Sequence, residues 1–526
     1  MQSDTRKIGQ AEIRKMYDRY QFTDEAVRII EQENLLPVTV LQRLHNNFPH
    51  HSGFFRTDGV FFRDKHLYTG LKGFREIVAV LKSNGIEIGH LPEREFFIEV
   101  YRFMATRHVL NTIDWTNFEN DTMYQLVFPQ PGMIAMEEVQ KYIDAPTPEA
   151  KKKVVEAYTE KTNPHDGKQL LNKPWFTNEE GHLEILQGCQ HKYPPIMLIF
   201  DKQTQNCFAF CTYCFRHAQV RGDQDMFVQH DVTQIHRYLR IHKEISDILI
   251  TGGDGGYITR DRLAEYVDPL LEDPELIHIK TVRFGSRALT FYPELILSEK
   301  FTGVLELMKK AIDNGLQMVW VAHLSTPRDI LNPATIAAVR RLKSYGVAIK
   351  SQSPIMNHIS LWTDENGKVD VDRSAQNWID LGNIIGMLGI GFHSMYCARP
   401  TGEHHYFTAP LADIHKVFTK VYASLSSINR PSRYITMTSS AGKISLIGTT
   451  EVNGEKVFAL KFNEARNMNW LDQVYLAEYD EQQNTIEKLK PYRAEKNFFD
   501  DELKVIEQKM ENALSSAIYK EEHYGE

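Results

Sequence analysis

The stretch QNCFAFCTYCFRHAQ, residues 205–219, holds three of the five cysteines in a chain of 526 residues. Cys207, Cys211 and Cys214 follow a Cys-x3-Cys-x2-Cys spacing directly after PIMLIF (195–200), the first of a series of short apolar runs. The others are DILITGG (247–253), IKTVRFGS (279–286), QMVWVAHL (317–324), GVAIKSQSPI (346–355) and IGFHSMYC (390–397). Between them the sequence turns helical in DVTQIHRYLRIHKEI, DRLAEYVDPLLED, ATIAAVRRLKSYG and SAQNWIDLGNIIGML. Alternating strands and helices predict a parallel sheet with right-handed crossovers. Six units fall short of the eight of a closed barrel, so the α/β expectation is a partial (β/α)6 TIM-like barrel with its chemistry at the C-terminal strand ends.

The rest of the chain is arranged around that core. Residues 1–145 read as a helical N-terminal extension, with apolar spacing in DEAVRIIEQENLL, LKGFREIVAVLKSNG and EREFFIEVYRFMATRHVL. Residues 146–194 form a linker or pre-barrel segment, 195–410 the core, and 411–526 a C-terminal α+β segment with a charged helical tail. The balance of 61 basic and 69 acidic side chains gives a net charge of −8 and no electrostatic support for a nucleic-acid role. No apolar window reaches membrane-spanning length, and the polar N-terminus lacks a secretory pattern. Scarce cysteines argue against a disulfide framework and point to the reducing cytoplasm.

Three thiolates on one short loop suit a soft metal site. A structural zinc ion would want a fourth ligand, and a four-thiolate iron–sulfur centre one more cysteine. Cys189 and Cys397 are the spares, far along the chain; Cys397 reads as a core residue. Three ligands on a [4Fe-4S] cluster leave one iron open, and the loop resembles that of the radical S-adenosylmethionine (SAM) enzymes. Gly252, Gly253 and Asp254 resemble their Gly-Gly-acidic motif for the methionyl amino group.

From about 185 to 450 the sequence is similar to the lysine 2,3-aminomutase family. The resemblance is carried in order by GCQHKYPPIMLIF, CTYCFRHA, VRFGSRALTFYPELI, AHLSTPRDI, KSQSPIM, YCARPTGEHHYFTAP and SSAGKISL. It implies a barrel of the radical SAM type and an isomerase that moves an amino group from the α- to the β-carbon of an amino acid. It implies cluster ligation by Cys207, Cys211 and Cys214, and SAM contacts from Gly252, Gly253, Asp254, His323 and Gln352. Lys443 would carry pyridoxal 5′-phosphate (PLP), with Lys192, Tyr193, Ser439, Ser440 and the amides up to Gly442 around that cofactor. Arg216 would clamp the substrate carboxylate. An electron donor such as flavodoxin or ferredoxin and a homo-oligomeric assembly are implied as well.

The departures from the family bear on cofactor and substrate. The two arginines that grip the PLP phosphate read Lys192 and Ile196 here, and the lysine loop has Ser-Ser-Ala-Gly in place of four glycines. The two aspartates that pair with a lysine ammonium read Ala398 and Thr436, so the expected substrate is not lysine. Arg399 could meet an acidic side chain, and a neutral one is equally open. His404 and His405 lack an acidic or cysteine partner at ligand spacing and read as a turn or pocket wall. A PLP-independent radical SAM enzyme is the alternative reading, for example in dehydrogenation, deamination or peptide modification. A non-catalytic iron–sulfur or zinc protein is the other.

Overall fold

The computed structural model describes residues 7–51, 60–162, 172–178, 180–217, 228–399 and 402–516. Its centre is an open sheet of 11 strands. In chain order these are β1 (Cys189–Tyr193), β2 (Ile196–Phe200), β3 (Asp247–Thr251), β4 (Thr281–Ser286), β5 (Gln317–Ala322) and β6 (Ala348–Ile355). They continue as β7 (Gly391–Cys397), β8 (Ile435–Thr438), β9 (Gly442–Val452), β10 (Glu455–Ala465) and β11 (Val474–Glu478). Each strand pairs with its sequence neighbours. From β2 to β8 every pairing is parallel, whereas β1 and the hairpins β9–β11 are antiparallel.

All six predicted strands are present, and helices Val232–Ile241, Arg260–Glu272, Glu299–Asp313, Pro333–Ser344 and Val371–Met387 cross between them. The alternation follows from burial. Ile248, Ile250, Val282 and Phe284 are fully buried, and Trp320 of β5 stacks on Phe284. The parallel run extends one strand beyond the predicted six, to β8, which pairs with β7, and the hairpins that follow continue the same sheet. The sheet stays open, although β10 comes alongside β1.

The N-terminal extension is helical over Asp24–Gln32 and Gly70–Ser83, as expected. The third expected helix is divided. Leu91–Val100 is helical, Met104–Thr106 forms a short strand against Leu67–Thr69, and Arg107–Thr112 resumes the helix. The extension also reaches the cysteine loop. Phe210 donates its amide to the Met104 carbonyl (2.8 Å) and Thr212 donates to that of Leu126 (2.9 Å). Glu403 is buried between the hydroxyls of Tyr101 (2.7 Å) from the extension and Tyr158 (2.8 Å) from the segment that follows it. No helix of the described residues is long and apolar enough to cross a membrane.

Candidate active site

A cavity of about 920 Å³ opens at the C-terminal ends of the parallel strands. It is lined by the three loop cysteines, by Gly252, Gly253, Asp254, His323 and Gln352, and by Lys192, Tyr193, Ser439, Ser440 and Lys443. Arg216, Ala398, Arg399 and Thr436 line it too. Residues from position 192 to 443 thus meet in one space. Three pairing irregularities fall at this lining, between Gln190 and Tyr193, between Ser351 and Gln352, and between Lys443 and Ile444. An extra residue in a ladder re-aims the side chains beside it, a device common next to active sites.

The cysteines are free thiols. Burial pushes all three up, Cys214 to about 12, while the Arg287 guanidinium opposes the rise at Cys211. Arg287 Nη1 donates to Cys211 Sγ (3.2 Å) and to the Tyr213 hydroxyl (2.8 Å), which in turn meets His323 Nε2 (2.9 Å). Four sulfurs or nitrogens around one zinc ion sit roughly 3–4 Å apart. Among the described residues, the set whose ligand atoms all converge within 4.8 Å is His191, His242 and Glu244, not the cysteines. The wider spread of the thiols suits a cluster in which each sulfur takes a different iron. Both ring nitrogens of His191 are already hydrogen-bonded, to Tyr238 and to the Pro194 carbonyl.

The glycine pair after β3 lies against the cysteine loop. A Cβ on Gly253 would stand 2.5 Å from the Asn206 carbonyl oxygen, so only glycine permits this approach. The Gly253 amide donates to the Thr204 carbonyl at 2.7 Å. The Asp254 carboxylate is buried and accepts from the amides of Gly256 (2.8 Å) and Arg287 (2.7 Å), which ties the turn together.

At the other end of the cavity, Lys443 faces Glu464 across the β9–β10 pairing, with Nζ 2.7 Å from Oε2. The turn before it is closed on itself: Ser439 donates its amide to the Gly442 carbonyl (2.7 Å), and the Gly442 amide donates to Ser439 Oγ (3.2 Å). These two amides are committed to the turn, which narrows the expected anion nest. Ser440 donates its amide instead to Glu487 Oε1 at 2.6 Å, so a carboxylate already rests there. A Cβ on Gly442 would lie 2.3 Å from the Glu464 carbonyl oxygen, so strand pairing alone demands glycine at this position.

Around this turn stand Lys192, whose Nζ donates to the Ser439 carbonyl, and Arg466, whose Nε donates to that of Ser440 (2.9 Å). Burial, then the neighbouring Arg466 and Arg399, hold Lys192 well below the usual lysine range. The Tyr193 hydroxyl is buried without a hydrogen-bond partner among the described residues. Two crowded cations and the Tyr193 hydroxyl fit a phosphate-bearing, polar cofactor better than an apolar filling, whereas the Glu487 carboxylate on the Ser440 amide opposes an anion at that point of the turn. Arg466, Glu464, Glu487 and the Arg287–Cys211 bond were missed in the sequence. Arg287 lay within the matched VRFGSRALTFYPELI segment; the others carry no local signal.

His405 donates from Nε2 to the Gly132 carbonyl (3.2 Å), and neither it nor His404 belongs to a converging ligand set among the described residues. Cys397 is buried.

Fold and cavity together define an α/β protein whose open parallel sheet carries a three-cysteine loop and a lysine-bearing hairpin into one site. Comparison with curated proteins gives a relative to match. The chain is 26% identical over 276 residues to a protein described as "Putative L-lysine 2,3-aminomutase" from Aquifex aeolicus, covering 52% of this chain and 68% of that one. It is 24% identical over 284 residues to L-lysine 2,3-aminomutase from Bacillus subtilis, 54% of each. It is 29% identical over 175 residues to glutamate 2,3-aminomutase from Clostridioides difficile, 33% of this chain and 40% of that one. No family model matches the chain. Apart from the Aquifex protein, the match spans about half or less of these relatives' lengths. The chain is thus similar, at 24–26% identity, to proteins named or described as L-lysine 2,3-aminomutases, in line with the resemblance of its motifs.

Proposed function

We propose that the protein is a radical SAM, PLP-dependent amino-acid 2,3-aminomutase, built on a partial barrel and acting on an amino acid other than lysine. The observation that carries this reading is the single cavity lined at one end by Cys207, Cys211 and Cys214 and at the other by Lys443. When bound, the cluster with SAM supplies hydrogen-atom abstraction, and PLP carries the migrating amino group.

The chain's own residues position and protect. Cys207, Cys211 and Cys214 hold the cluster, with the Arg287 guanidinium on Cys211 Sγ. Gly252 and Gly253 let backbone approach the SAM end, and His323 and Gln352 line it. Glu464, 2.7 Å from Lys443, is placed to take the proton that the amine must lose before it acts as a nucleophile. Lys192 and Arg466 grip the cofactor phosphate beside Ser439 and Ser440, and Tyr193 packs next to Lys443, 6.0 Å from its Nζ. Arg216 holds the substrate carboxylate. The extension's clamp on Phe210 and Thr212 keeps the cysteine loop in register and covered from water. The reading includes a cytoplasmic setting, a flavodoxin- or ferredoxin-like electron donor and a homo-oligomer.

The test is the ultraviolet–visible spectrum of anaerobically prepared protein, before and after Lys443→Ala. An iron–sulfur shoulder together with a PLP band that the variant loses is the expected result. A shoulder without that band removes the aminomutase reading in favour of the PLP-independent one, which the Ser-Ser-Ala-Gly turn and the Glu487 carboxylate on its amide would then explain. No 5′-deoxyadenosine from SAM under a strong reductant would refute both.

A further inference from the structure

Every other cation of the cavity has a protein partner. Lys443 pairs with Glu464 and Arg283 with Asp247, both at 2.7 Å; Lys192 and Arg466 bond the turn carbonyls, and Arg287 bonds Cys211. Arg216 and Arg399 differ. Neither guanidinium makes a hydrogen bond or ion pair among the described residues. Their neighbours are aromatic: Arg216 lies 4.5 Å over the Phe200 ring and 5.1 Å over Phe215, and Arg399 lies 5.1 Å over that same Phe215. Sharing one ring keeps the two guanidinium carbons within about 10 Å of each other. Of the cavity's carboxylates, Glu464 is taken by Lys443, Glu487 by the Ser440 amide, Asp254 by two backbone amides and Asp500 by the Asn497 amide, while Glu507 acts on Arg466.

Two guanidiniums within about 10 Å of each other, neither paired directly with a carboxylate among the described residues and only Arg399 feeling one at longer range, Glu487, are an unfavourable arrangement unless a ligand brings the anions. One α-carboxylate would satisfy one of them. We propose that the substrate is an acidic amino acid with two carboxylates, bridged between Arg216 and Arg399. The proposal deepens the aminomutase reading and rests on it for the reaction, though not for binding. Ala398 and Thr436 complete the selection, since neither offers a charge to a basic side chain. A neutral amide side chain would leave one guanidinium without its anion, a loss of roughly ten- to hundredfold in affinity.

The experiment is equilibrium binding of L-glutamate, L-aspartate, L-glutamine and L-lysine to the anaerobic holoenzyme, in the unmodified protein and in Arg399→Gln and Arg399→Lys. At least one dicarboxylate should bind ten- to hundredfold more tightly than glutamine, with lysine weaker still. Arg399→Gln should bring the acidic amino acid and its amide to near parity at unchanged iron content, and Arg399→Lys should keep part of the preference. Glutamine or lysine binding as tightly as the dicarboxylates overturns the proposal, and so does a preference that survives Arg399→Gln. Selective dicarboxylate binding without a β-amino product would refute the aminomutase reading while supporting this pocket.

Discussion

Arg466→Met tests whether the cation missing from position 196 has been supplied elsewhere. Arg466 lies just past the end of β10, and its Nε donates to the Ser440 carbonyl (2.9 Å) while its Nη2 donates to Asn172 Oδ1 (2.5 Å). Both acceptors are neutral, so the substitution removes about 1–3 kcal/mol of stability in hydrogen bonds. If the guanidinium also meets the cofactor phosphate, a charge-assisted contact of about 1.5–3 kcal/mol is lost, which weakens PLP binding roughly ten- to 150-fold. The assay is spectroscopic titration of anaerobic protein with PLP and, in parallel, with pyridoxal, which lacks the phosphate. PLP affinity should fall by that factor in Arg466→Met, while pyridoxal affinity changes less than about threefold. Equal weakening of both ligands would show that Arg466 only shapes the turn. An unchanged PLP affinity would refute the phosphate role outright.

Two further outcomes follow from single contacts. Arg287→Gln removes the guanidinium from Cys211 Sγ (3.2 Å), so a reconstituted cluster should become harder to reduce by on the order of 50 mV; a redox titration followed by electron paramagnetic resonance would detect it, and an unmoved midpoint would sink the idea. Lys173 is buried against Gln187 Oε1 (2.7 Å), and burial pushes it down to about 8 from the ordinary 10.5. Between those values the folded chain binds fewer protons than the unfolded one, so this lysine makes stability rise with pH by about 3 kcal/mol across that window. Lys173→Met should flatten that part of the profile in denaturant titrations at pH 8 and above, and an unaltered slope would contradict the burial argument.

The six core strands were legible because each is a compact β-branched or apolar run beside a polar turn, with at least one face fully buried. The third N-terminal helix was misread because FFIEVYRFMATRHVL satisfies helical spacing throughout. What divides it is the pairing of Met104–Thr106 with Leu67–Thr69, a partner with no local trace. The C-terminal hairpins could be seen as strands but not as part of the main sheet, since joining β8 to β7 is a tertiary choice. In the site, cysteine spacing and the lysine turn are local and were readable. Glu464 was not, because it meets Lys443 only through the register in which the two residues are directly paired. Gly442 carries a caution of a different kind. It stands in the segment that resembles a cofactor loop, yet the Glu464 carbonyl, 2.3 Å from where a Cβ would stand, demands glycine for reasons of packing alone.

The same geometry explains how the site can drift in sequence and keep its charge. A phosphate pocket needs positive charge at a place, not at a sequence position. In this fold the lysine turn is bordered on one side by β1, which brings Lys192, and on the other by the end of β10, which brings Arg466; β10 comes alongside β1 in space. A cation lost from the start of β2, where Ile196 now stands, can therefore be replaced from a strand about 270 residues away without moving the turn. Substrate charge cannot be exchanged so freely. Ala398 and Thr436 sit on and beside β7 and β8, directly paired parallel strands, and between them no carboxylate remains to meet an ammonium. If the proposed function holds, the phosphate end of the cavity can diverge while its chemistry is kept, whereas the substrate end, with Arg399 beside Ala398, is where a change in what is bound would be written.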